Sequence, residues 1–336
     1  MDDKIIEATI KALEKDFEKG VVIRGDSVEV YDNVLSTGSI GLDMNLGIGG
    51  YPMGSVVELY GLPGAGKSTM ALHAVAEAQK LGYTALYVDV EHALDPNYAE
   101  QLGVDLTSVL IAQPRTAEEA LTIVEKMAKT GQVQLVVIDS VAALIPKAEL
   151  EADVGKDHVA RLARIMSEYL KRIVSFVHEV GCLIIFINQI RMNIGMYQAP
   201  TTTSGGLALK FYAHVRLDVK AKDKIRDGEE VIGNKVSVQI IKNKHAPPYR
   251  TATFNLIFGK GIDTYGELLD FAMAQGVVTQ SGAWFKFGED NTEQGRFNAI
   301  SYLMDNPELC EQIKRNIYGK DPTVQVEAAE ESNADD

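Results

Sequence analysis

The run Gly61-Leu62-Pro63-Gly64-Ala65-Gly66-Lys67-Ser68 leaves this chain few ways to fold. It fits the spacing G-x-x-x-x-G-K-[ST], which needs a strand before it and a helix after it. The flanks supply both. Ser55-Val56-Val57-Glu58-Leu59-Tyr60 reads as a buried strand, and Ser68 to Leu81 carries apolar residues at helical spacing before a stop at Gly82. Glycines let backbone N–H groups converge on phosphate oxygens, and a helix N-terminus favours negative charge. In that reading Gly61, Pro63, Gly64, Ala65, Gly66 and Thr69 line a nucleotide site. Lys67 pairs with the β- and γ-phosphates, and Ser68 ligates Mg2+. The plain alternative is a glycine turn before a helix.

From Val56 onward, strands and helices alternate. Tyr83–Val90, Leu135–Ser140 and Cys182–Ile190 are near-continuous apolar runs, and Thr116-Ala117-Glu118-Glu119 is a capping box that opens a helix reaching about Thr130. Asp157 to Val180 reads as a long helix. Such runs predict an α/β fold with a parallel sheet buried on both faces. Beyond residue 213, the alternating segments His214–Lys220, Lys235–Asn243 and Thr251–Phe258 predict an antiparallel extension. A smaller unit follows, with helices over Tyr265–Gln275 and Thr292–Met304 around Trp284. Near the start, Ile5, Ile6, Ile10, Leu13 and Phe17 mark a helix with an apolar stripe.

Composition excludes some classes. No apolar run reaches the roughly 18 residues a membrane span needs, and Met1-Asp2-Asp3-Lys4 does not open a signal peptide. Cys182 and Cys310, the two cysteines, make no disulfide framework. A reducing, cytoplasmic setting without membrane partners is the expectation. The net charge of −14 argues at first against nucleic acid, but residues 321–336 hold six acids and no base. That tail reads as disordered, either as an aid to solubility or as a tether that competes with DNA for basic surface.

In open parallel sheets, ligands bind beyond the strand carboxyl ends. Asp139 ends one strand after four apolar residues, as a Mg2+-holding carboxylate beside a phosphate loop does; a capping aspartate is the alternative. Glu91, past another strand end, can orient the water that attacks a γ-phosphate, or cap a helix starting near Ala93. His92 beside it is assigned no catalysis. Gln189 can sense a γ-phosphate and leads into Arg191–Leu209, a segment rich in Gly, Thr and Ser. That arrangement suits a nucleotide-dependent switch, or an ordinary mobile loop. On the helix Asp157–Val180, Arg161, Arg164, Lys171 and Arg172 share an arc opposite Leu162, Met166, Tyr169, Leu170, Ile173, Val174 and Val177. This stripe could track a phosphate backbone or be a solvated face. Lys242 and Lys244, two apart in a predicted strand, share a face and could meet phosphates from within the chain or from a neighbouring subunit.

Five strings resemble the bacterial RecA recombinase family: Leu35–Asp43, Glu91–Pro96, Val137–Leu144, Phe186–Arg191 and Ala208–Ala213. The resemblance spans about residues 5 to 318. It implies a RecA-type P-loop NTPase core with a mostly parallel central sheet and antiparallel extension, an N-terminal helix and a small α/β C-terminal domain. The boundaries would be 1–32 for an oligomerisation helix and linker, 33–262 for the ATPase core, 263–320 for the small domain and 321–336 for the tail. The family's activity is ATP- and single-stranded-DNA-dependent homologous pairing and strand exchange in a helical filament. Its partners are single- and double-stranded DNA, further copies of itself and, by the same likeness, a self-cleaving repressor. The resemblance implies that Glu91 positions the hydrolytic water and that Asp95 and Tyr98 lie at the adenine, with Gly259 at the nucleotide too. Gln189 would couple γ-phosphate to DNA, and Lys242, Lys244 and Phe211 would act across the subunit interface. Val154, Val159, Arg164, Lys171, Arg191, Ile194, Met196, Gly205 and Gly206 would meet DNA. The cofactors would be ATP and Mg2+. The chain departs from the usual pattern at Leu62-Pro63-Gly64-Ala65, Leu207 and Phe258, and its small domain is poor in lysine. A ring-forming helicase of the same fold and a non-catalytic ATP-switched scaffold are the alternatives.

Overall fold

The apolar runs form strands that water does not reach. The computed structural model describes residues 3–17, 21–25, 33–152, 160–191, 202–288 and 291–318. The chain falls into two units, residues 1–32 and 33–336. The first holds α1 (Asp3–Asp16), with Ile5, Ile6 and the following Phe17 exposed.

The second unit is built on a mixed sheet. Strands β1 (Val34–Leu35) and β2 (Tyr51–Pro52) pair antiparallel on either side of α2 (Ile40–Leu46) in the chain. Then come β3 (Val56–Gly61), α3 (Lys67–Lys80), β4 (Ala85–Asp89), α4 (Pro96–Gln101), β5 (Leu110–Ala112), α5 (Ala117–Ala128), β6 (Leu135–Asp139) and α6 (Lys147–Leu150). Helix α7 (Arg161–Phe176) leads to β7 (Leu183–Arg191), which pairs with β8 (Thr202–Thr203) before α8 (Ala208–Tyr212). Strands β9 (Val215–Asp227), β10 (Glu230–Asn243), β11 (Thr251–Ile257) and β12 (Gly261–Ile262) follow. Among the described residues the order is β12-β11-β10-β9-β3-β7-β6-β4-β5. Neighbours run parallel from β9 through β3 to β5 and antiparallel from β9 to β12. The parallel sheet and its antiparallel extension are both present, and the β9–β10 hairpin is longer than its apolar alternation suggests.

A period of two splits each central strand between two cores. Val57, Leu59, Val137 and Ile185 join Met70 and Ala74 of α3 on one face. Val56, Val136, Ile184 and Phe186 join Leu121 of α5 and Met166 and Leu170 of α7 on the other. Helix α7 is shorter than the Asp157–Val180 read from the sequence: it opens at Arg161, after Ala160 in the left-handed region at φ +72°, and ends at Phe176, while residues 153–159 lie outside the described set.

The third core belongs to α9 (Thr264–Ala274), the antiparallel strands β13 (Val278–Ser281), β14 (Trp284–Phe287) and β15 (Asn291–Gln294), α10 (Arg296–Asp305) and α11 (Pro307–Tyr318). Here the sequence reading needs correction. Residues 291–294 pair with β14, and the helix begins only after Gly295. Trp284 is 49% exposed, while Phe285 and Phe287 are buried. The strand's alternation turns Trp284 and Lys286 outward, so the tryptophan does not centre this core. Helix α9 is tied to α2 by one carboxylate. Glu267 Oε1 accepts from the Ser39 hydroxyl at 3.0 Å and from the Gly41 N–H at 3.4 Å, while Oε2 is buried with no hydrogen-bond partner among the described residues. Burial pushes its pKa up to about 8. Burial likewise pushes Asp43 of α2 up to about 7, against hydrogen bonds from Thr37 and Ser36.

Candidate active site

Strand β3 delivers the glycine loop from a slot between β7 and β9. At Gly61 a Cβ would sit 2.1 Å from the Val219 carbonyl oxygen. At Gly66, which caps α3 with φ +97°, a Cβ would lie 2.7 Å from Leu256 Cδ1. Close approach of the β9 backbone demands glycine at position 61, and the left-handed φ favours it at position 66. Pro63 and Gly64 are exposed and Ala65 is buried. Helix α3 opens at Lys67, whose side chain is buried and donates to the Leu62 carbonyl at 2.7 Å. Burial lowers the lysine's pKa, and the charges of Asp139 and Glu91 oppose this. Phosphate oxygens would be stronger, charge-assisted acceptors for that ammonium.

Two neighbouring strands bring the acids. Asp139 ends β6 and accepts side-chain hydrogen bonds from Ser68 and Tyr87; burial nevertheless raises its pKa. Glu91 follows β4, and its Oε1 accepts from the Ser140 hydroxyl at 2.5 Å and from Gln189 Nε2 at 3.3 Å. Glu91 caps no helix. It is Asp89 that accepts from the Ala93 and Leu94 N–H groups, at 3.0 and 3.3 Å, and α4 starts later under Asp95, which accepts from Asn97 N–H at 2.9 Å. Tyr98 on α4 meets Thr69 of α3, Oη to Oγ1 at 2.9 Å. Gly259 also faces α4: a Cβ there would lie 3.4 Å from Gln101 Oε1.

The donor set fits Mg2+. Ser68 and Asp139 offer hard oxygens, and Mg2+ takes few protein ligands while keeping water and substrate phosphates. No group of three or more His, Cys, Asp or Glu side chains that could hold an ion occurs among the described residues, so the ion would be shared with a nucleotide.

The β7 end is braced from below. Asn188 donates to Glu58 Oε1 at 2.9 Å and to the Ser204 carbonyl at 3.0 Å, while its own oxygen accepts the Gln189 N–H at 2.9 Å. Glu58 in turn receives Arg216 Nε at 2.5 Å, and the guanidinium lies 4.7 Å over the Tyr60 ring. Sequence reasoning passed over Ser140, Tyr87, Asn188 and this Glu58–Arg216 pair. The readable signal was a carboxylate at position 58 inside an apolar run.

Other sites are distributed. Arg161, Arg164 and Lys171 are exposed on α7. Arg172 is exposed on the same helix and pairs with Glu125 at 2.8 Å, its guanidinium 4.3 Å over the Tyr169 ring. Gly205 and Gly206 pack so closely that a Cβ would come within 2.8 Å of Val141 Cγ1 and 2.6 Å of Ala163 Cβ. Arg191 closes β7 by pairing with Thr202. Val154, Val159, Ile194 and Met196 lie outside the described residues, as does the tail. Lys242 lies in β10 and Lys244 just past its end, with the Lys244 N–H still donating to the His214 carbonyl at 3.0 Å. After burial, the nearby Lys244 charge lowers the Lys242 pKa, and β10 ends at Asn243. That side chain accepts the His245 and Ala246 N–H groups at 2.9 and 3.3 Å and turns the chain. Lys242 Nζ donates to the Lys210 and Phe211 carbonyls at 3.1 and 2.8 Å, and the Phe211 ring is 67% exposed.

A phosphate loop between strand and helix, with acids at the ends of the adjacent strands β4 and β6, defines a P-loop NTPase core. Sequence profiles refine that class. The RecA N-terminal domain matches residues 4–263 and the RecA C-terminal domain residues 266–320. "Protein RecA" of Allochromatium vinosum is 48% identical over 320 residues, 94% of this chain and 92% of its own length. "Protein RecA" of Nostoc sp. is 47% identical over 338 residues, 99% of this chain and 94% of its own. The chain belongs to the RecA family of recombinases.

Proposed function

We propose that this chain hydrolyses ATP when bound to single-stranded DNA, and that it pairs homologous strands as a helical filament of its own copies. The observation that carries this reading is the meeting of Ser140 and Gln189 on one oxygen of Glu91. A carboxylate so held can orient a water for attack on the γ-phosphate, and the amide that holds it belongs to the strand leading into the segment after Arg191. Gln189 would exchange Glu91 for a γ-phosphate oxygen and shift that segment. Mg2+, on Ser68 and Asp139, would offset the charge of the transferring phosphoryl group. Gly61, Pro63, Gly64, Ala65, Gly66, Lys67 and Thr69 would hold the phosphates, with Asp95, Tyr98 and Gly259 beside the base and sugar.

Lys242, Lys244 and Phe211 would face the nucleotide of the next copy in a head-to-tail assembly that does not close. Residues 1–32 would dock the copies, 33–262 act as motor, 263–320 receive duplex, and 321–336 screen the basic surface. Arg164, Lys171 and Arg191 would contact phosphates, with Gly205 and Gly206 at the strand. Val154, Val159, Ile194 and Met196 would lie near bases. A self-cleaving repressor is a further partner, and the setting is cytoplasmic; no helix among the described residues is long and apolar enough to cross a membrane.

The test is ATP hydrolysis with and without single-stranded DNA over a salt series, run beside a strand-pairing assay. DNA-stimulated turnover that weakens with salt, together with pairing, supports the reading. Unwinding without pairing would favour a ring helicase, and ATP binding without DNA-stimulated turnover a scaffold.

A further inference from the structure

Strand β4 places a hydroxyl where the apolar face under α3 meets the chemistry. Tyr87 is 3% exposed and belongs to the core that α3 covers. Its register partner on β6 is Val137, and two residues on Asp89 partners Asp139. The period of two puts Tyr87, Asp89, Val137 and Asp139 on one face. From there the Tyr87 hydroxyl reaches diagonally to Asp139 Oδ2, at 2.7 Å. The phenol is the donor and the carboxylate oxygen the acceptor. Asp139 thus has two side-chain donors, Ser68 from α3 and Tyr87 from the neighbouring strand. The two differ in kind. Ser68 is exposed at the mouth of the loop, whereas Tyr87 is locked by packing and cannot follow a ligand. A carboxylate has about four lone-pair sites, so a fixed donor on one oxygen sets the carboxyl plane and leaves the rest for an ion or its water.

We propose that Tyr87 is a positioning residue for the metal half of this site, holding the Asp139 carboxylate in the orientation that receives Mg2+. The inference rests on the reading of Asp139 as a Mg2+ ligand. Outer-shell partners of metal ligands typically contribute about 10- to 100-fold in metal affinity. Phenylalanine at this position keeps the ring and its packing and removes only the donor.

The experiment reads binding, not turnover. At a fixed, saturating ADP concentration, Mg2+ is titrated and the rise in melting temperature followed for the parent, Tyr87→Phe, Asp139→Asn and the double variant. The Mg2+ concentration giving half the rise should be about 10-fold higher in Tyr87→Phe. In the Asp139→Asn background, adding Tyr87→Phe should change nothing further. An unmoved midpoint in Tyr87→Phe, with Asp139→Asn impaired, would overturn the proposal and leave the metal reading standing. An equal shift in both backgrounds would overturn it too, because the ring's packing would then be the cause. Parent-like Mg2+ dependence in Asp139→Asn would remove the metal reading and Tyr87's role with it.

Discussion

Glu91 owes its bearing to two donors on one oxygen, and this sets what each substitution should do. Glu91→Ala should leave ATP binding intact and lower the turnover rate about 10²- to 10⁴-fold, the usual range for a positioned base. Ser140→Ala should lower kcat about tenfold, the size of one hydrogen bond to a charged group, with KM unchanged. Steady-state kinetics at saturating DNA measures both; a KM effect without a kcat effect would mean that Ser140 serves nucleotide binding instead. Glu91, Asp139 and Gln189 were legible in the sequence because each stands at the end of an apolar run, where a parallel sheet gathers its polar groups. Ser140 and Tyr87 were not, because a hydroxyl's partner depends on cross-strand register. The partner of Arg172 was not legible for a related reason: helical spacing gives a side chain's arc but not the Glu125 opposite it.

At the level of elements, β3 and β9 are joined by more than backbone. Glu58, fully buried, holds Arg216 on β9 and Asn188 on β7. Glu58→Gln leaves a buried guanidinium without its counter-charge, which should cost about 3–5 kcal/mol in denaturant unfolding; a loss below 1 kcal/mol would show that water enters the pair. An acid at position 58 in an apolar strand signalled a buried partner, but that partner lies 158 residues away and no local pattern points to it. The α2–α9 contact makes a different prediction. Glu267 has a folded pKa of about 8 against an ordinary 4.5, so folding favours its protonated form. Its contribution is complete below about pH 4.5 and is lost as pH rises through about 8. Unfolding free energies of the parent and Glu267→Gln across that window should diverge, the parent losing ground with rising pH. Parallel curves would sink the assignment. The main sheet's architecture was legible from its continuous and alternating apolar runs, whereas the strands of the small α/β domain were implied by the resemblance but not placed by residue pattern, and β15 was read as the start of a helix because a four-residue strand carries too few alternations.

For the whole molecule, the question is whether one nucleotide is served by two copies. Lys67→Ala removes the phosphate lysine and Lys242→Ala the proposed trans contact. Each alone should be inactive, and mixing them should restore part of the DNA-dependent turnover, because some interfaces then pair an intact loop with an intact Lys242. A mixture that stays silent at every ratio would place both residues on the same nucleotide within one chain. The sequence brought Lys242 to attention but not its attachment. An ammonium has three hydrogens, and two of them are given to the carbonyls of Lys210 and Phe211 on α8. One remains to be offered outward. Should it grasp a neighbour's triphosphate, α8 and the adjoining subunit's fuel would be yoked through a single nitrogen, and slack on one side would be felt on the other.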